Sequence, residues 1–452
     1  MIVWFRQDLR LADNPALTAA VQTGRPVIPL FILHTASDGR PWGGASLWWL
    51  DKSLRALDAD LRARDSRLIL RRGDPAVLLP ALAEELGASA VWNRLYGRAA
   101  VERDGDLKRD LQAASFNGSL LVEPWSVKTG SGGAYQVFTP FWKAAQPAIG
   151  PASLHPAPRH LPAPDVWPVS EAIEDWRLHP RAPDWSAGFH DWTPGEAGAD
   201  AALRTFARRG LAGYAEGRDR PDQTVTSRLS PHLHWGEIGP RQVRSRVIDA
   251  VGASDKFMAE IGWREFNHHL LYEYGDLHSR NIRRAFDAFP WRADPDGLEA
   301  WKQGRTGFPI VDAGMRELWS TGFMHNRVRM IVASFLIKHL LIDWREGEAW
   351  FWDTLLDACA ANNPANWQWS AGSGADAAPF FRIFNPVAQG ERFDPAGNYV
   401  RQWVAELGDL PAQVVHRPWE VGVSGYPAPI VDHGKARARA LEAFKVFRQD
   451  GG

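Results

Sequence analysis

The sequence predicts a two-part protein, in which an α/β domain built on a doubly wound parallel sheet precedes an all-α domain. The first 125 residues alternate short apolar runs with amphipathic stretches, which is the pattern of strand–helix units in a parallel sheet. Residues 144–194 hold ten of the chain's 32 prolines, so regular helix and central strand are excluded there. From about residue 196 onward the apolar spacing becomes helical.

Length and composition agree with this division. A chain of 452 residues is longer than one hydrophobic core usually serves, so two domains are expected. We predict the α/β domain at 1–125, a proline-rich interdomain linker at 126–195 and the helical domain at 196–452. The net charge of -1 gives no global sign of nucleic-acid binding, so any basic surface must be local.

The α/β domain is predicted from five strand candidates and the helices between them. The strand candidates are Ile2–Phe5, Val27–Leu33, Arg67–Leu70, Ala90–Leu95 and Leu120–Val122. The helix candidates are Leu47–Arg64 and Ala76–Leu86. Asp74 and Pro75 precede the second helix as an N-cap and a proline at the first helical position. The phosphate fingerprint G-x-G-x-x-G is absent here, so this domain is not assigned a dinucleotide.

The C-terminal part is predicted from long stretches with helical apolar spacing. The clearest stretches are Phe257–Tyr274, Ile310–Ser320, Val328–Leu341 and Ala349–Ala361. The apolar run at 331–342 contains Lys338 and His339 and is too short to cross a bilayer, so no membrane association is expected.

Cysteine and histidine usage bound the chemistry. The single cysteine, Cys359, excludes an intramolecular disulfide and favours a reducing, cytoplasmic location. The N-terminus meets charged residues too early for a secretory signal. The 14 histidines show no ligand spacing supported by carboxylates, so no metal site is expected.

The segment Asn362–Pro386 is the most unusual part of the sequence. It combines amides, two tryptophans, small residues and an arginine beside an aromatic pair, whereas a core helix needs apolar residues at helical spacing. Amides beside indoles suit a bound planar heterocycle, because an amide both donates and accepts hydrogen bonds and an indole stacks or passes an electron. The whole chain holds 23 Trp against 7 Tyr, which favours chemistry that uses the indole itself.

A second candidate site lies in the predicted helix around residue 263. Glu260, Trp263 and Asn267 share one face of this helix. A carboxyl beside an exposed indole suits an extruded base, since the ring stacks and the carboxyl binds the base edge. A helix with one packed tryptophan and surface charges explains this segment equally well.

Two further segments suit an anionic ligand. Thr226, Ser227 and Ser230 offer hydroxyls and backbone N–H groups, which can cradle a phosphate, although a capped loop is the favoured explanation of this segment taken alone. Arg329 follows on a predicted helix, and a buried arginine would need an acid such as Asp357. An ordinary interhelical salt bridge is the alternative.

Taken together, these motifs resemble the photolyase/cryptochrome family over essentially the whole chain. The matching motifs are Trp4–Arg10, Thr226–Ser230, Trp263–Phe266, Gly307–Ala313, Met324–Met330, Asp343–Gly347 and Asn362–Pro386. Within the family the chain looks most like a bacterial class III cyclobutane pyrimidine dimer (CPD) photolyase. The resemblance implies a Rossmann-like N-terminal antenna domain and an all-α C-terminal domain that binds FAD.

The resemblance also implies roles for individual residues, taken motif by motif. The implied cofactor-binding residues are Tyr214, Thr226, Ser227, Arg228, Leu229, Ser230, Phe257, Arg329, Asp357, Cys359 and Asn363. The implied catalytic residues are Glu260, Trp263, Asn326, Met330, Asn363, Trp367, Trp344 and Trp291, of which the last three would relay electrons from flavin to surface in that order. The implied DNA-binding residues are Arg218, Glu260, Trp263, Asn267, Asn326, Arg327, Trp369 and Gln389.

The implied activity is light-driven repair of CPDs in UV-damaged DNA, by one-electron transfer from excited reduced FAD to a flipped-out dimer. The alternative is a cryptochrome-like blue-light photoreceptor with weak or no repair activity. The resemblance implies that Asn363 faces N5 of the isoalloxazine ring, where plant cryptochromes usually carry Asp, and Asn326 stands where (6-4) photolyases carry a histidine. Both residues favour CPD repair. A monomer is expected, and the short stretch after Pro386 is expected to leave no room for a long signalling tail.

Two departures from the family pattern stand out. Cys359 occupies a position near the flavin where many members have Asp, and a thiol is a weaker hydrogen-bonding group. Ala99 and Ala100 replace an Asn-Glu pair of some folate-binding members. The class III resemblance still favours methenyltetrahydrofolate over 8-hydroxy-5-deazaflavin as the antenna chromophore, stacked on an aromatic residue of Trp42–Trp49.

Overall fold

The computed structural model describes residues 1–34, 40–150, 153–181, 183–251 and 255–449. Its N-terminal part contains a five-stranded sheet in which every neighbouring pair of strands is parallel. The strands are β1 (Ile2–Phe5), β2 (Ile28–Leu33), β3 (Ile69–Arg72), β4 (Ala90–Asn93) and β5 (Ala114–Phe116). Their order is β3-β2-β1-β4-β5, so the chain winds outward in both directions from β1. The predicted doubly wound α/β fold is confirmed.

The central strands are buried on both faces, as their continuous apolar runs indicate. The prediction of a strand at Leu120–Val122 is wrong, because the last strand is β5, three partly exposed residues at the sheet edge. The backbone N–H groups of Leu121 and Val122 instead donate to the carboxylate of Glu265, at 2.8 and 3.2 Å. Burial against a helix therefore gave these residues a strand-like composition.

Five helices accompany the sheet and the segment that follows it. They are α1 (Pro15–Gln22), α2 (Gly44–Arg62), α3 (Pro75–Glu85), α4 (Arg98–Leu111) and α5 (Phe138–Ala145). The predicted N-cap of α3 is present, since the side chain of Asp74 accepts a hydrogen bond from Ala76 N at 2.9 Å. Helix α5 packs against a long helix of the C-terminal part.

The proline-rich segment contains only short 3-10 turns after α5 in its described residues, and it runs back over the α/β part. The carbonyl of Pro162 accepts from Val27 N at 2.7 Å, and the carbonyl of Leu70 accepts from Glu171 N at 3.0 Å. Trp176 and Leu178 are buried in the same cluster as α2. This segment therefore covers the core of the α/β part as well as connecting it to the helices.

The C-terminal part consists of helices and short turns in its described residues. The helices are α6 (Glu196–Thr205), α7 (Tyr214–Gly217), α8 (Ser230–Trp235), α9 (Pro240–Val251), α10 (Asp255–Tyr274), α11 (Pro295–Lys302), α12 (Pro309–Thr321), α13 (Asn326–Ser334), α14 (Trp344–Thr354), α15 (Asn362–Ala371), α16 (Pro386–Phe393), α17 (Asn398–Trp403) and α18 (His433–Gln449). Among the described residues no helix combines the length and apolarity that a membrane span requires.

Two helix predictions need correction. The helix predicted at Val328–Leu341 starts earlier, with His325 as its N-cap, and passes into a π-helical turn at Phe335–Leu340. The helix predicted at Ala349–Ala361 ends at Thr354, because Leu355 is extended. The connection to α15 is apolar and buried, so its hydrophobicity resembles a continuing helix. The break brings this connection to a large cavity.

Candidate functional site

A cavity of about 620 Å³ lies between the α/β part and the helical part of the chain. Its wall is formed by the ends of β1, β2 and β4, by the loop before α8, by α10 and α13, and by the connection that leads into α15. Aromatic rings and a few converging polar groups line it together. Such a composition is typical of a binding site for a large planar ligand.

Every residue that the sequence analysis assigned to the cofactor lies on this wall. These residues are Tyr214, Thr226, Ser227, Arg228, Leu229, Ser230, Phe257, Arg329, Asp357, Cys359 and Asn363. They come from α7, the loop before α8, α10, α13 and the region around the start of α15. The tertiary fold therefore brings together the separate motifs, while their individual roles stay predictions.

The loop before α8 has the backbone of an anion cradle. Arg228 has a positive φ of 52°, in the left-handed region, and Leu229 that follows is right-handed. Successive N–H groups in such a left-right pair point into a common concavity, which binds anions. The Arg228 guanidinium is held aside over the ring of Trp192, at 4.1 Å from its centroid.

The predicted pair of Arg329 and Asp357 is present. These two residues, with Cys359 and Asn363, form the part of the cavity lining that we call the inner wall. Arg329 donates to both carboxylate oxygens, at 3.0 and 2.8 Å, and its Nε donates to the carbonyl of Met324 at 2.8 Å. Burial alone would raise the pKa of Asp357, but the charge and hydrogen bonds of Arg329 hold it below its ordinary value. The pair is a fixed, bidentate ion pair whose guanidinium reaches the cavity.

Asn363 lies beside this pair and is anchored from behind. Its Nδ2 donates to Oε1 of Glu348 at 2.8 Å and to the backbone carbonyl of Glu348 at 3.0 Å. Arg40, from the α/β part, donates to both carboxylate oxygens of Glu348. The sequence analysis assigned no role to Glu348 or Arg40, which are 308 positions apart and carry no shared motif.

Cys359 borders the same wall and is buried. Its Sγ accepts a hydrogen bond from Asn362 N at 3.1 Å, and burial raises the pKa of the thiol. The thiol is therefore a neutral, weakly polar group at this position.

The predicted lesion residues of α10 also line the cavity. We call this part of the lining, where Glu260 and Trp263 are partly exposed, the mouth. Trp263 stacks on Phe138 of α5, with centroids 4.0 Å apart, and lines the cavity. Glu260 pairs with Arg218, and Asn267 Nδ2 donates to Oδ1 of Asn362 at 2.9 Å. The shared helical face predicted for these residues therefore lines the cavity. The packed-tryptophan alternative accounts for the contacts of Trp263 with Phe138 and Phe266, so the role of this face stays a prediction.

The opposite side of the mouth is formed by α13 and α15. Asn326 is exposed, Met330 is partly buried, and both line the cavity together with Trp369. Arg327 also borders it and pairs with Asp219 at 2.9 Å. Arg218, Glu260 and Arg327 thus line the cavity together with the indoles of Trp263 and Trp369.

Three assigned residues lie outside the cavity lining. Trp344 and Trp291 belong to the hydrophobic cluster around Trp367, which itself lines the cavity. Trp344 is fully buried and donates its Nε1–H to Asn281 Oδ1 at 3.0 Å, whereas Trp291 is partly exposed. Of the three, Trp291 alone is thus partly exposed, and the relay stays a prediction. Gln389 lies on α16, away from the cavity lining.

Three histidines on the wall were not singled out from the sequence. Burial lowers the pKa of His234 to about 4, of His268 to about 3 and of His325 to about 4, so all three are neutral. The Nε2 atoms of His234 and His325 are buried without a hydrogen-bonding partner in the structure.

The cavity also reaches the carboxyl edge of the sheet, where Ala99 and Ala100 line it. Among the aromatic candidates of Trp42–Trp49, Trp42 is the one that borders the cavity. Its ring lies 6.2 Å from that of Trp352 and nearly parallel to it, at 11°. Trp48 and Trp49 are buried in the core instead. No group of three or more potential metal ligands occurs in the ranges described above.

Comparison with protein families gives two matches that together cover most of the chain. Residues 1–164 match the DNA photolyase family, and residues 257–446 match the FAD-binding domain of DNA photolyase. Among individual proteins, the chain is 51% identical to a deoxyribodipyrimidine photo-lyase of Agrobacterium fabrum, covering 99% of this chain and 98% of the relative. It is 37% identical to cryptochrome-2 of Arabidopsis thaliana, covering 99% of this chain and 79% of that protein.

Solved structures give the same result. A bacterial class III photolyase from Agrobacterium tumefaciens superposes with a TM-score of 0.95 at 51% identity, covering 99% of this chain and 97% of the other. The chain therefore belongs to the photolyase/cryptochrome family. Within that family it resembles the bacterial class III photolyases, and its helical part is an FAD-binding domain of the photolyase type.

Proposed function

We propose that this protein repairs cyclobutane pyrimidine dimers in DNA, using light and bound FAD. The observation that carries the proposal is the single cavity that joins a cofactor wall to a mouth suited to damaged bases. A photoreceptor would need the first of these features but not the second. The name of the Agrobacterium relative at 51% identity supports the same activity.

The residues on the inner wall fit FAD. The left-handed cradle at Arg228 would hold the diphosphate. Arg329 with Asp357 and Asn363 would border the isoalloxazine ring. FAD, when bound, reduced and excited by light, supplies the electron that opens the cyclobutane ring and is returned afterwards. The protein binds, orients and shields the reactants.

The mouth of the cavity would receive the dimer. Flipping it out of the duplex costs a few kcal/mol, less than for intact bases because the lesion is already poorly paired. Stacking on Trp263 and Trp369 returns roughly 1–3 kcal/mol per base. Glu260 would accept a hydrogen bond from a base edge, with Asn326 and Met330 completing the pocket. Arg218, Arg327 and Gln389 would lie along the DNA, so affinity falls with salt.

Three tryptophans would carry electrons that reduce the oxidised cofactor. Trp367 would pass an electron inward, Trp344 would refill it, and the partly exposed Trp291 would accept electrons from an external reductant. Their common hydrophobic cluster supports this relay. Trp301 contacts Trp367 as well, with centroids 6.1 Å apart, so the cluster also contains a neighbour through which electrons can bypass Trp344.

The second candidate function is a cryptochrome-like blue-light photoreceptor with weak repair. The 37% identity to cryptochrome-2 over 99% of this chain favours it. Asn363 favours repair, because an aspartate at this position would place a carboxyl group beside the ring and change the charge and the proton supply there. Glu260 favours repair because it lines the part of the cavity proposed to receive the dimer.

For the antenna chromophore we propose methenyltetrahydrofolate rather than 8-hydroxy-5-deazaflavin. Trp42 supports a stacked pterin, because its ring borders the cavity beside a nearly parallel indole. Alanines at positions 99 and 100 offer no polar side chain for a folate there. The domain division at 125 and 195, the monomeric state and a cytoplasmic location also stay predictions.

The decisive experiment illuminates purified, chemically reduced protein with oligonucleotides that contain one CPD. We expect restored thymines in single- and double-stranded DNA, and no turnover of a matched oligonucleotide with a (6-4) photoproduct. Bound FAD is verified from its absorption spectrum in the same sample. Flavin-loaded protein that leaves the dimers intact would contradict the proposal and favour the photoreceptor.

A further inference from the structure

The orientation of the Asn363 amide is fixed from outside the cavity. Both hydrogen bonds that its Nδ2 donates end on Glu348, one on Oε1 and one on the backbone carbonyl. A flipped amide would set Oδ1 against these two acceptors, so only one orientation satisfies the contacts. Oδ1 is therefore the atom of this amide that a ligand in the cavity meets.

The backbone carbonyl is always an acceptor, so the part of this anchor that can change is the side chain of Glu348, which must remain a pure acceptor. The Glu348 side chain is 2% exposed, and burial raises its pKa, while the charge of Arg40 and its hydrogen bonds oppose that rise. Arg40 Nη1 donates to Oε1 and Oε2 at 3.1 and 2.8 Å. A buried carboxylate without such a partner takes up a proton, and it can then donate as well as accept.

Residues 40–43 of the α/β part, called the strap below, contact α14 and include Arg40. Its guanidinium lies 3.8 Å above the ring of Trp352, and Trp352 Nε1 donates to the carbonyl of Pro41 at 2.7 Å. At Gly43 a Cβ would meet the Trp352 carbonyl oxygen at 2.1 Å, so only glycine allows this approach. His278 is a further charged or titratable neighbour of Arg40. The strap is thus held in place by contacts independent of the ion pair.

We propose that Arg40 is a positioning residue for the flavin: it keeps Glu348 ionised, and Glu348 in turn holds Asn363 with Oδ1 toward N5 of the ring. This inference rests on the proposed function, because it requires FAD in the cavity. It means that a strap of the α/β part sets a redox property of a cofactor bound by the helical part. The reduced ring carries an N–H at N5, and an acceptor there stabilises the reduced form.

The test is to replace Arg40 and measure the bound FAD itself. In Arg40→Met we expect a more negative midpoint potential in a spectroelectrochemical titration, and faster reoxidation of the reduced protein in air. Arg40→Lys keeps the charge and should recover most of both properties, although it loses the planar fork. Arg316→Met is the control for loss of an arginine, because Arg316 forms a bidentate ion pair with Glu406, at 2.7 and 3.0 Å, that is more exposed and lies outside the cavity lining.

A double variant separates amide orientation from general damage. In Arg40→Met/Glu348→Gln the amide at position 348 can donate as well as accept, as a protonated carboxyl can. We expect the midpoint potential of the double variant to match that of Arg40→Met, because Asn363 lacks a purely accepting side-chain partner in both proteins. A further shift in the double variant would mean that the two residues act independently and would contradict the inference. An Arg40→Met protein with the potential and reoxidation rate of the Arg316→Met control would overturn the inference. A chain that binds no FAD, or unmodified protein that repairs no dimers, would instead overturn the proposed function.

Discussion

The two walls of the cavity carry similar ion pairs in different environments. The side chains of Asp357 on the inner wall and of Glu348 behind it are 5% and 2% exposed. Those of Glu260 at the mouth and of Asp219, the partner of Arg327 there, are 30% and 38% exposed. Their arginine partners are Arg329, Arg40, Arg218 and Arg327, respectively. The inner carboxylates are thus withdrawn from water, while those at the mouth remain in contact with it.

The difference in exposure between these ion pairs matches the two ligands of the proposed function, a permanent cofactor and an exchanging DNA strand. A buried pair cannot exchange partners without leaving an uncompensated charge, so it holds its side chains in one geometry. An exposed pair contributes little to stability and can be opened at little cost. The inner wall is therefore suited to a permanent cofactor, and the arginines at the mouth are suited to exchange a carboxylate for a DNA phosphate.

The largest effect is expected on the cavity wall itself, at Trp367. Trp367→Phe should abolish light-driven reduction of oxidised cofactor, because phenylalanine is much harder to oxidise than tryptophan, yet protein reduced beforehand should still repair dimers. Transient absorption and a repair assay measure the two steps separately. Trp176→Phe, a buried tryptophan of the α/β core, is the control. Undiminished photoreduction in Trp367→Phe would mean that electrons enter by another aromatic route.

Breaking the inner pair should come next. Asp357→Ala leaves Arg329 without its bidentate partner, and we expect a loss of roughly 3 kcal/mol in the free energy of unfolding and weaker FAD binding. Denaturant titration and flavin release measure these changes. Asp200→Ala removes the partner of an exposed pair with Arg204 and should cost less than about 1 kcal/mol. Equal losses in both variants would remove the distinction between buried and open pairs.

At the mouth, the indole of Trp263 should matter more than any single charge. Trp263→Ala should weaken binding of dimer-containing DNA by about 1–3 kcal/mol, since one stacking surface is lost. Fluorescence anisotropy with damaged and undamaged oligonucleotides measures it. The exposed Trp419 provides the control substitution to Ala. If affinity for undamaged DNA falls equally, Trp263 does not recognise the lesion.

The smallest effect is expected for a charge at the mouth. Arg327→Met should lower the slope of log affinity against log salt by about 1, and weaken damaged and undamaged DNA alike. Titrations at several salt concentrations give the slope. Arg62→Met removes a surface arginine that pairs with Asp58 and should leave the slope unchanged. An unchanged slope in Arg327→Met would exclude a phosphate contact by this residue.

The local elements that the sequence predicted well are those with strong local signals. Ile2–Phe5 is a continuous apolar run and forms β1 with the predicted bounds, and the Asp74–Pro75 start signal gives α3 its N-cap. Leu120–Val122 misled the strand prediction because burial on a helix and burial in a sheet select the same residues. β5 escaped prediction because three partly exposed residues carry almost no pattern.

The site divides in the same way. Asn363, Arg329 and Asp357 could be found because their motifs are contiguous and the residue types are unusual for a core. Arg40 and Glu348 could not, because each looks like an ordinary surface charge in its own segment.

From the sequence we could predict the order of most strands and helices, the family and many of the polar and aromatic residues that line the cavity. Two features became visible only in the three-dimensional structure. The strap contacts α14, and buried ion pairs lie at or behind the inner wall while more exposed pairs lie near the mouth. The physical reason is that local pattern reports burial along one segment. Whether a charge is desolvated depends on which distant segment packs against it, and no single stretch of sequence records that.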